Sequence, residues 1–246
     1  MDNWYEDDNF WEVLAPRLFG EKQLDETKQE VDQIISLLEI PLRSKILDLC
    51  CGQGRHSLEL ASKGFIITGV DRTLKYLEKA KSDANAKNLS VEFILDDMRH
   101  FKRLNYFDAV IIMYTSFGYF SNPIDNMQVL HNAYNSLKEN GSLLIDLMGK
   151  EIVARIFSVR DCYELNGTTY IEERKVTNNW NWIENRWIMI KDNIKQEFRL
   201  SHWLYSANEL SIMLNDAGFS FVKILGNLRG APYNHTAQRL IALARK

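Results

Sequence analysis

A solid apolar stretch, KILDL, runs into Cys50-Cys51-Gly52-Gln53-Gly54 and then directly into a helical segment. Glycines at such a junction let main-chain N–H groups approach a ligand, and a helix start aims partial positive charge at it. Asp71 ends the next apolar run, where a carboxylate can accept both hydroxyls of a ribose. Asp97, in LDDMRHF after the third run, can accept from an adenine amino group while Met98 packs on the ring. These residues together read as a site for a ligand carrying adenosine. A nicotinamide dinucleotide satisfies the same features, although the third position of its fingerprint is Ser57 rather than Gly. Cys50 and Cys51 invite redox or metal chemistry instead. Neighbours on an extended strand point to opposite faces, however, and the CxxC spacing of zinc sites is absent. They read as small buried fillers, and three cysteines make no disulfide framework.

The elements that must position these residues follow from periodicity. From Lys45, near-continuous apolar runs (KILDL, FIITGVD, VEFILDD, FDAVIIMYT, SLLIDLM) alternate with helical segments. The helices run from about Gly54 to Gly64, over LKYLEKAKSDANA, and from Pro123 to a stop at Gly141. This alternation predicts a doubly wound, Rossmann-like α/β sheet, mostly parallel and covered on both faces. Residues 151–205 lose the rhythm. Polar turns such as TNN and KDN separate strand-like pieces, which predicts an antiparallel β insertion after the fifth strand. SANELSIMLNDAG then reads as a helix, and FSFVKILG and AQRLIALAR as the last strands. Before the sheet, residues 1–40 are predicted helical. Thr27 to Glu30 has a capping-box pattern, with Val31, Ile34, Ile35 and Leu38 on one face of the helix it would open. The chain therefore divides into a helical lid segment (1–40), a ligand-binding core (41–150), an antiparallel substrate cap (151–205) and a C-terminal completion of the core (206–246).

Composition narrows the function. The 246 residues fit one large domain or a domain with a cap, and 46% hydrophobic content is ordinary for a full core. Thirty basic against 33 acidic side chains, with no Lys/Arg run, argue against a nucleic-acid surface. No stretch approaches the roughly 20 apolar residues of a membrane span. The acidic, aromatic start MDNWYEDDNFWE is the reverse of a signal peptide, so a cytoplasmic location is expected.

The motifs LDLCCGQGRHSLELASKG, ITGVD, LDDMR and FDAVIIMYTSFGYF, followed by a helix and GSLLID, resemble class I S-adenosylmethionine-dependent methyltransferases. The resemblance is close over residues 30–150 and holds in outline for the last 40. It implies seven strands with an antiparallel last hairpin, and S-adenosylmethionine as cofactor, released as S-adenosylhomocysteine. Asp48 and the Gly52–Gly54 turn would hold the methionine end, Asp71 the ribose, and Asp97 with Met98 the adenine. Cys50, Arg55, Arg72 and Met113 are further cofactor-binding candidates. Residues 113–119, from Met113 to Tyr119, would face the sulfonium and the acceptor. The family's first glycine is Cys50 here, which puts close backbone approach at that position in question.

The (N/D)PP(Y/F/W) segment of methyltransferases acting on nucleic-acid bases is absent; that place reads YTSFGYF. Acids for a catechol-type magnesium site are missing where strands four and five end, Asp146 lying inside its strand, so no metal is expected. TSFGYF is similar to the segment of small-molecule methyltransferases, some of which act on amines. The expected acceptor is therefore a small-molecule amine, with an O-methylated metabolite as the alternative. Tyr119, Tyr114 and His202 are the catalytic candidates, ahead of His56, His235 and Tyr233; Tyr5, Trp11, Phe117 and Arg199 are the acceptor-binding candidates. Trp180, Trp182 and Trp187 in the insertion could wall the pocket, pack on the core, or form a homodimer surface. Two rival readings are an NAD-dependent oxidoreductase, for which DDMR has no role, and a non-catalytic scaffold, which should have lost the acids and glycines retained here.

Overall fold

The structure, a computed structural model, describes residues 3–246. Helices α1 (Asp8–Leu18) and α2 (Glu21–Leu38) precede the core. Five strands follow: β1 (Lys45–Leu49), β2 (Ile66–Asp71), β3 (Val91–Leu95), β4 (Phe107–Ile112) and β5 (Leu137–Leu147). Helices α3 (Arg55–Ser62), α4 (Leu74–Ala86) and α5 (Pro123–Ser136) lie between them. After α6 (Lys150–Ile156), strands β6 (Arg160–Leu165), β7 (Thr168–Thr177), β8 (Trp182–Lys191) and β9 (Ile194–Trp203) make a separate antiparallel sheet. Helix α7 (Ala207–Asp216), β10 (Phe221–Leu225) and β11 (Leu240–Arg245) complete the core.

The main sheet has seven strands in the order β10-β11-β5-β4-β1-β2-β3. Its pairs are parallel except those of β11, which runs antiparallel to both β10 and β5. The alternation of strand side chains accounts for the layers. Ile46, Ala109, Ile111 and Leu144 face α2 and α3, packing on Val31, Ile34 and Leu60. Leu47, Val110, Ile112 and Leu143 face α5 and α7, packing on Val129, Leu130, Leu210 and Leu214. Strand order steps outward in opposite directions from β1 and β4, and their carboxyl ends therefore flank the crevice where open α/β sheets bind ligands.

Two tight turns fix the register of the second sheet. Asn166-Gly167 and Asp192-Asn193 both have positive φ at each residue, the backbone that two-residue hairpins favour. The inner face of this sheet buries α1: Tyr170, Met189 and Leu200 enclose Phe10 and Leu14. Trp4 Nε1 donates to the Ser201 carbonyl at 2.8 Å, tying the chain start to β9.

Two expectations about helix ends are corrected. Thr27 and Glu30 do not open a helix, because α2 begins six residues earlier with Gly20 as its N-cap. Thr27 Oγ1 instead donates back to the Gln23 carbonyl, a bond available only inside a helix. Helix α5 ends at Ser136 rather than Gly141, because Leu137 already pairs with Phe107 in the sheet, before a register shift.

Candidate active site

Two cavities meet at the carboxyl ends of β1 and β4. The smaller, about 140 Å³, is lined by Asp48, Cys50, Gly52, Asp71, Met98 and Met113, and is roofed by Tyr5, Trp11 and Phe19. The larger, about 1210 Å³, lies between α1, the second sheet and the core. Trp11, Leu18, Phe19, Tyr114 and Tyr119 line both. Among the described residues no three His, Cys, Asp or Glu side chains converge into a metal-ligand set.

In the smaller cavity the parallel register places Asp48 opposite Gly69, and Asp71 opposite Leu95. Asp71 accepts from the Gly52 N–H at 2.8 Å through Oδ2, and from the Thr73 N–H at 2.9 Å through Oδ1. Burial pushes its carboxyl above the ordinary value, against those two bonds and a further one from the Thr73 side chain. Asp48 is raised for the same reason and accepts from the Ser57 hydroxyl at 2.6 Å. Ser57, where a dinucleotide fingerprint would have glycine, therefore anchors the acid beneath the loop. Arg99 grips Asp97 with Nε at 3.0 Å and Nη2 at 2.7 Å. Burial raises Asp97, but these bonds outweigh it and hold the carboxyl below its usual range.

Cys50 has φ +66, the left-handed conformation that a glycine would take freely. The loop keeps its course with a side chain there, at a cost of about 1–2 kcal/mol. Its Sγ lies 3.7 Å from Met98 Sδ. Burial pushes both thiols well up, so neither is a thiolate. Gly52 cannot change so easily: a Cβ there would lie 2.7 Å from the Phe19 ring, at φ +56. Gly54 shapes the turn at φ +76 without lining the cavity.

The turn after β4 is strained twice over, with Tyr114 at φ +59 and Thr115 at φ +63. Asp146 of β5 holds it. Its Oδ2 accepts from the Tyr114 N–H at 3.1 Å and its carbonyl from the Thr115 N–H at 2.9 Å. Its Oδ1 takes Arg239 Nε at 2.6 Å. Sequence reading set Asp146 aside as an interior strand residue; the partner that gives it a role, Arg239, is 93 positions away.

A second cluster that periodicity did not reveal joins α2 to the loop. Glu30 accepts from Arg55 Nη1 and lies 3.0 Å from His56 Nε2. Burial raises Glu30, yet His56 and Arg55 together bring it down to about 2. Arg55 and His56 both line the smaller cavity, and Arg55 sits 5.2 Å over the Tyr114 ring. Arg72 lines it too, its guanidinium donating to the Tyr5 carbonyl at 2.6 Å.

Tyr119 stacks among Trp4 (4.8 Å), Trp11 (6.4 Å) and Tyr5 (6.5 Å). Burial raises its phenol far above neutral pH, so it is an O–H donor and not a base. His202 lines the larger cavity. Its Nδ1 lies 3.0 Å from the Trp203 carbonyl, which only an N–H can satisfy, so Nε2 carries the lone pair. Burial holds its pKa below the ordinary value and favours neutral imidazole. Trp203 bonds Gly118 and Phe120 at 2.8 Å each, bringing this end of β9 against the Tyr119 loop.

Two acceptor candidates stand elsewhere. Phe117 is buried against Tyr205 in the core, and Arg199 projects from the outer face of the second sheet beside Glu197, over half exposed. His235 and Tyr233 line neither cavity. Of Trp180, Trp182 and Trp187 only Trp187 lines the larger cavity; Trp180 packs on Phe157 and Trp182 on Trp203.

Residues 46–141 match the model of a methyltransferase domain. A Geobacillus sp. (strain WCH70) protein with a provisional methyltransferase name is 26% identical over 218 residues, covering 82% of this chain and 84% of that one. A S-adenosylmethionine-dependent methyltransferase from Clostridium acetobutylicum superposes with a TM-score of 0.79 at 14% identity, over 97% of this chain and 98% of that one. An amino pentose methyltransferase of Micromonospora echinaspora, solved with S-adenosylmethionine bound, superposes at 0.65 with 20% identity over 94% of each chain. The solved structures speak to the fold and the domain match to the chemistry; no helix among the described residues is long and apolar enough to cross a membrane. With strand order, domain match and the Geobacillus relative in agreement, the chain carries a methyltransferase domain over residues 46–141, on the sheet topology of S-adenosylmethionine-dependent methyltransferases of known structure.

Proposed function

We propose that this enzyme methylates an amine nitrogen of a small molecule held in the larger cavity. The observation that carries the reading is the shared wall: Trp11, Tyr114 and Tyr119 line both cavities, so an acceptor on one side faces the cofactor on the other. The smaller cavity suits S-adenosylmethionine. Asp71 presents a carboxylate fixed by main-chain N–H groups to the ribose hydroxyls, Met98 offers a soft surface to the adenine, and Asp97 Oδ2 keeps one acceptor site. Asp48 and the Gly52–Gly54 turn would hold the methionine end. Bound there, the cofactor supplies a methyl group on a sulfonium, a good leaving group.

The chain's part is alignment, exclusion of water and proton handling. The aromatic lid of Tyr5, Trp11 and Phe19 covers the smaller cavity, and Tyr119 offers a fixed O–H to orient the acceptor. An amine attacks only when neutral, and Nε2 of His202 is the group to take its proton. The second sheet and α1 form the acceptor cap. Among the neighbours of this fold are an amino pentose methyltransferase and a sugar N-methyltransferase.

Calorimetric titration with S-adenosylmethionine, S-adenosylhomocysteine and NAD tests the cofactor; micromolar binding of the first two alone is expected. Labelled methyl transfer to paired amines and phenols then tests the acceptor. Transfer to phenols with none to amines would overturn the amine reading.

A further inference from the structure

Three buried side-chain nitrogens or oxygens lack a hydrogen bond among the described residues, and two of them, Arg17 Nη1 and Trp187 Nε1, belong to residues that line the larger cavity. Both are donors, and an unpaired buried donor calls for an acceptor from outside the chain, such as an ordered water or an anion. They are neighbours by construction. Trp187 of β8 lies directly opposite Glu172 of β7, and Asn185 opposite Arg174, on the face that meets α1. Arg17, at the end of α1, stacks over the Trp187 ring at 4.2 Å.

The charge here is unbalanced where it is least screened. Glu172 is the buried acid of the group, its side chain 5% exposed, and it serves two guanidiniums, Arg17 and Arg174. Asp161, the other partner of Arg174, is 47% exposed and acts largely through water. Two guanidiniums thus share one buried carboxylate, with two donor nitrogens unspent. We infer that this wall, Arg17 with Trp187, binds an anionic oxygen group of the methyl acceptor, a carboxylate or a phosphate ester. The inference rests on the larger cavity being the acceptor site. It makes the acceptor bifunctional, with an amine at the Tyr114–Tyr119 wall and an anion held on the inner face of the second sheet. A volume of about 1210 Å³ leaves room for both.

The experiment is calorimetric titration of the full chain with phenylacetate, phenyl phosphate and phenylacetamide, with and without saturating S-adenosylhomocysteine. At least one anion is expected to bind tenfold or more tightly than the neutral amide, and comparing the two anions identifies the group. The preference should collapse to under threefold in Arg17→Gln and fall partway in Trp187→Phe, which keeps the ring and removes one donor. Arg17→Lys should keep part of it through charge alone. Equal binding of anion and amide, binding of none, or a preference that survives Arg17→Gln would each overturn the subsite. Circular dichroism of each variant separates loss of the site from loss of the fold. If S-adenosylhomocysteine fails to bind while the anions still discriminate, the methyltransferase site falls and the anion subsite stands.

Discussion

At the scale of single residues, the site is governed by which polar groups keep a free lone pair or proton. Asp71 has its two oxygens pre-oriented by main-chain N–H groups, so a ligand hydroxyl meets a fixed acceptor. Asp71→Ala should lower affinity for S-adenosylhomocysteine at least tenfold, roughly 1.4 kcal/mol, by calorimetry; undiminished affinity would remove the ribose assignment. His202 makes a different prediction. As a base it must be neutral, and burial displaces its titration below the ordinary value of 6.5. Activity as kcat/KM should therefore fall only as pH drops below about 6.5, where the imidazole protonates. His202→Gln should lose that acidic limb and about 10²-fold or more in kcat. An unchanged limb would assign it to another group.

At the scale of elements, α2 is clamped to the cofactor loop by Glu30, Arg55 and His56. Burial opposes the charge on Glu30, but His56 and Arg55 depress its pKa from 4.5 to about 2. A carboxyl depressed on folding stabilises the protein above its unfolded pKa, and that contribution is lost as pH falls through the folded value. Glu30→Gln should cost on the order of 2–3 kcal/mol at pH 7 in urea unfolding, the gap from wild type narrowing between about pH 4.5 and 2. A gap that does not change with pH would make the loss one of packing. The elements themselves were mostly legible, because strands buried on both faces must be continuously apolar and helices between them must alternate. The errors share a cause. The Thr27–Glu30 pattern is local, and a local pattern is overruled when flanking turns propagate through it; α5 stops early because Leu137 finds a partner in β4. The acids at strand ends could be read in advance, since they follow apolar runs. The pairs Asp146–Arg239 and Arg17–Trp187 could not, because only tertiary packing brings their halves together. Phe117 and Arg199 line neither cavity for the same reason: sequence shows that a residue lies near a strand end or on a strand, but not which face it takes.

At the scale of the whole molecule, α1 is the piece that couples the two halves. One side of the N-terminal segment, through Tyr5, Trp11 and the following Phe19, roofs the smaller cavity; another, through Phe10 and Leu14, is buried in the second sheet. The smaller cavity, at about 140 Å³, is below the roughly 300–1,000 Å³ of ordinary ligand sites, so cofactor entry is expected to move the roof. Phe19, whose ring lies over Gly52, is the roof residue expected to move. Once the cofactor is in, its contacts with the roof should stabilise α1 against the second sheet, since both depend on one helix. Saturating S-adenosylhomocysteine is therefore expected to slow amide hydrogen exchange in β7–β9 as well as around β1 and β2. Leu14→Ala, which removes a fully buried side chain from the junction, should cost about 2–5 kcal/mol locally and abolish the protection in β7–β9 while leaving that around β1 and β2. Protection confined to the core in the wild type would mean that the two sheets respond independently, and that the aromatic roof closes on the cofactor without carrying the second sheet with it.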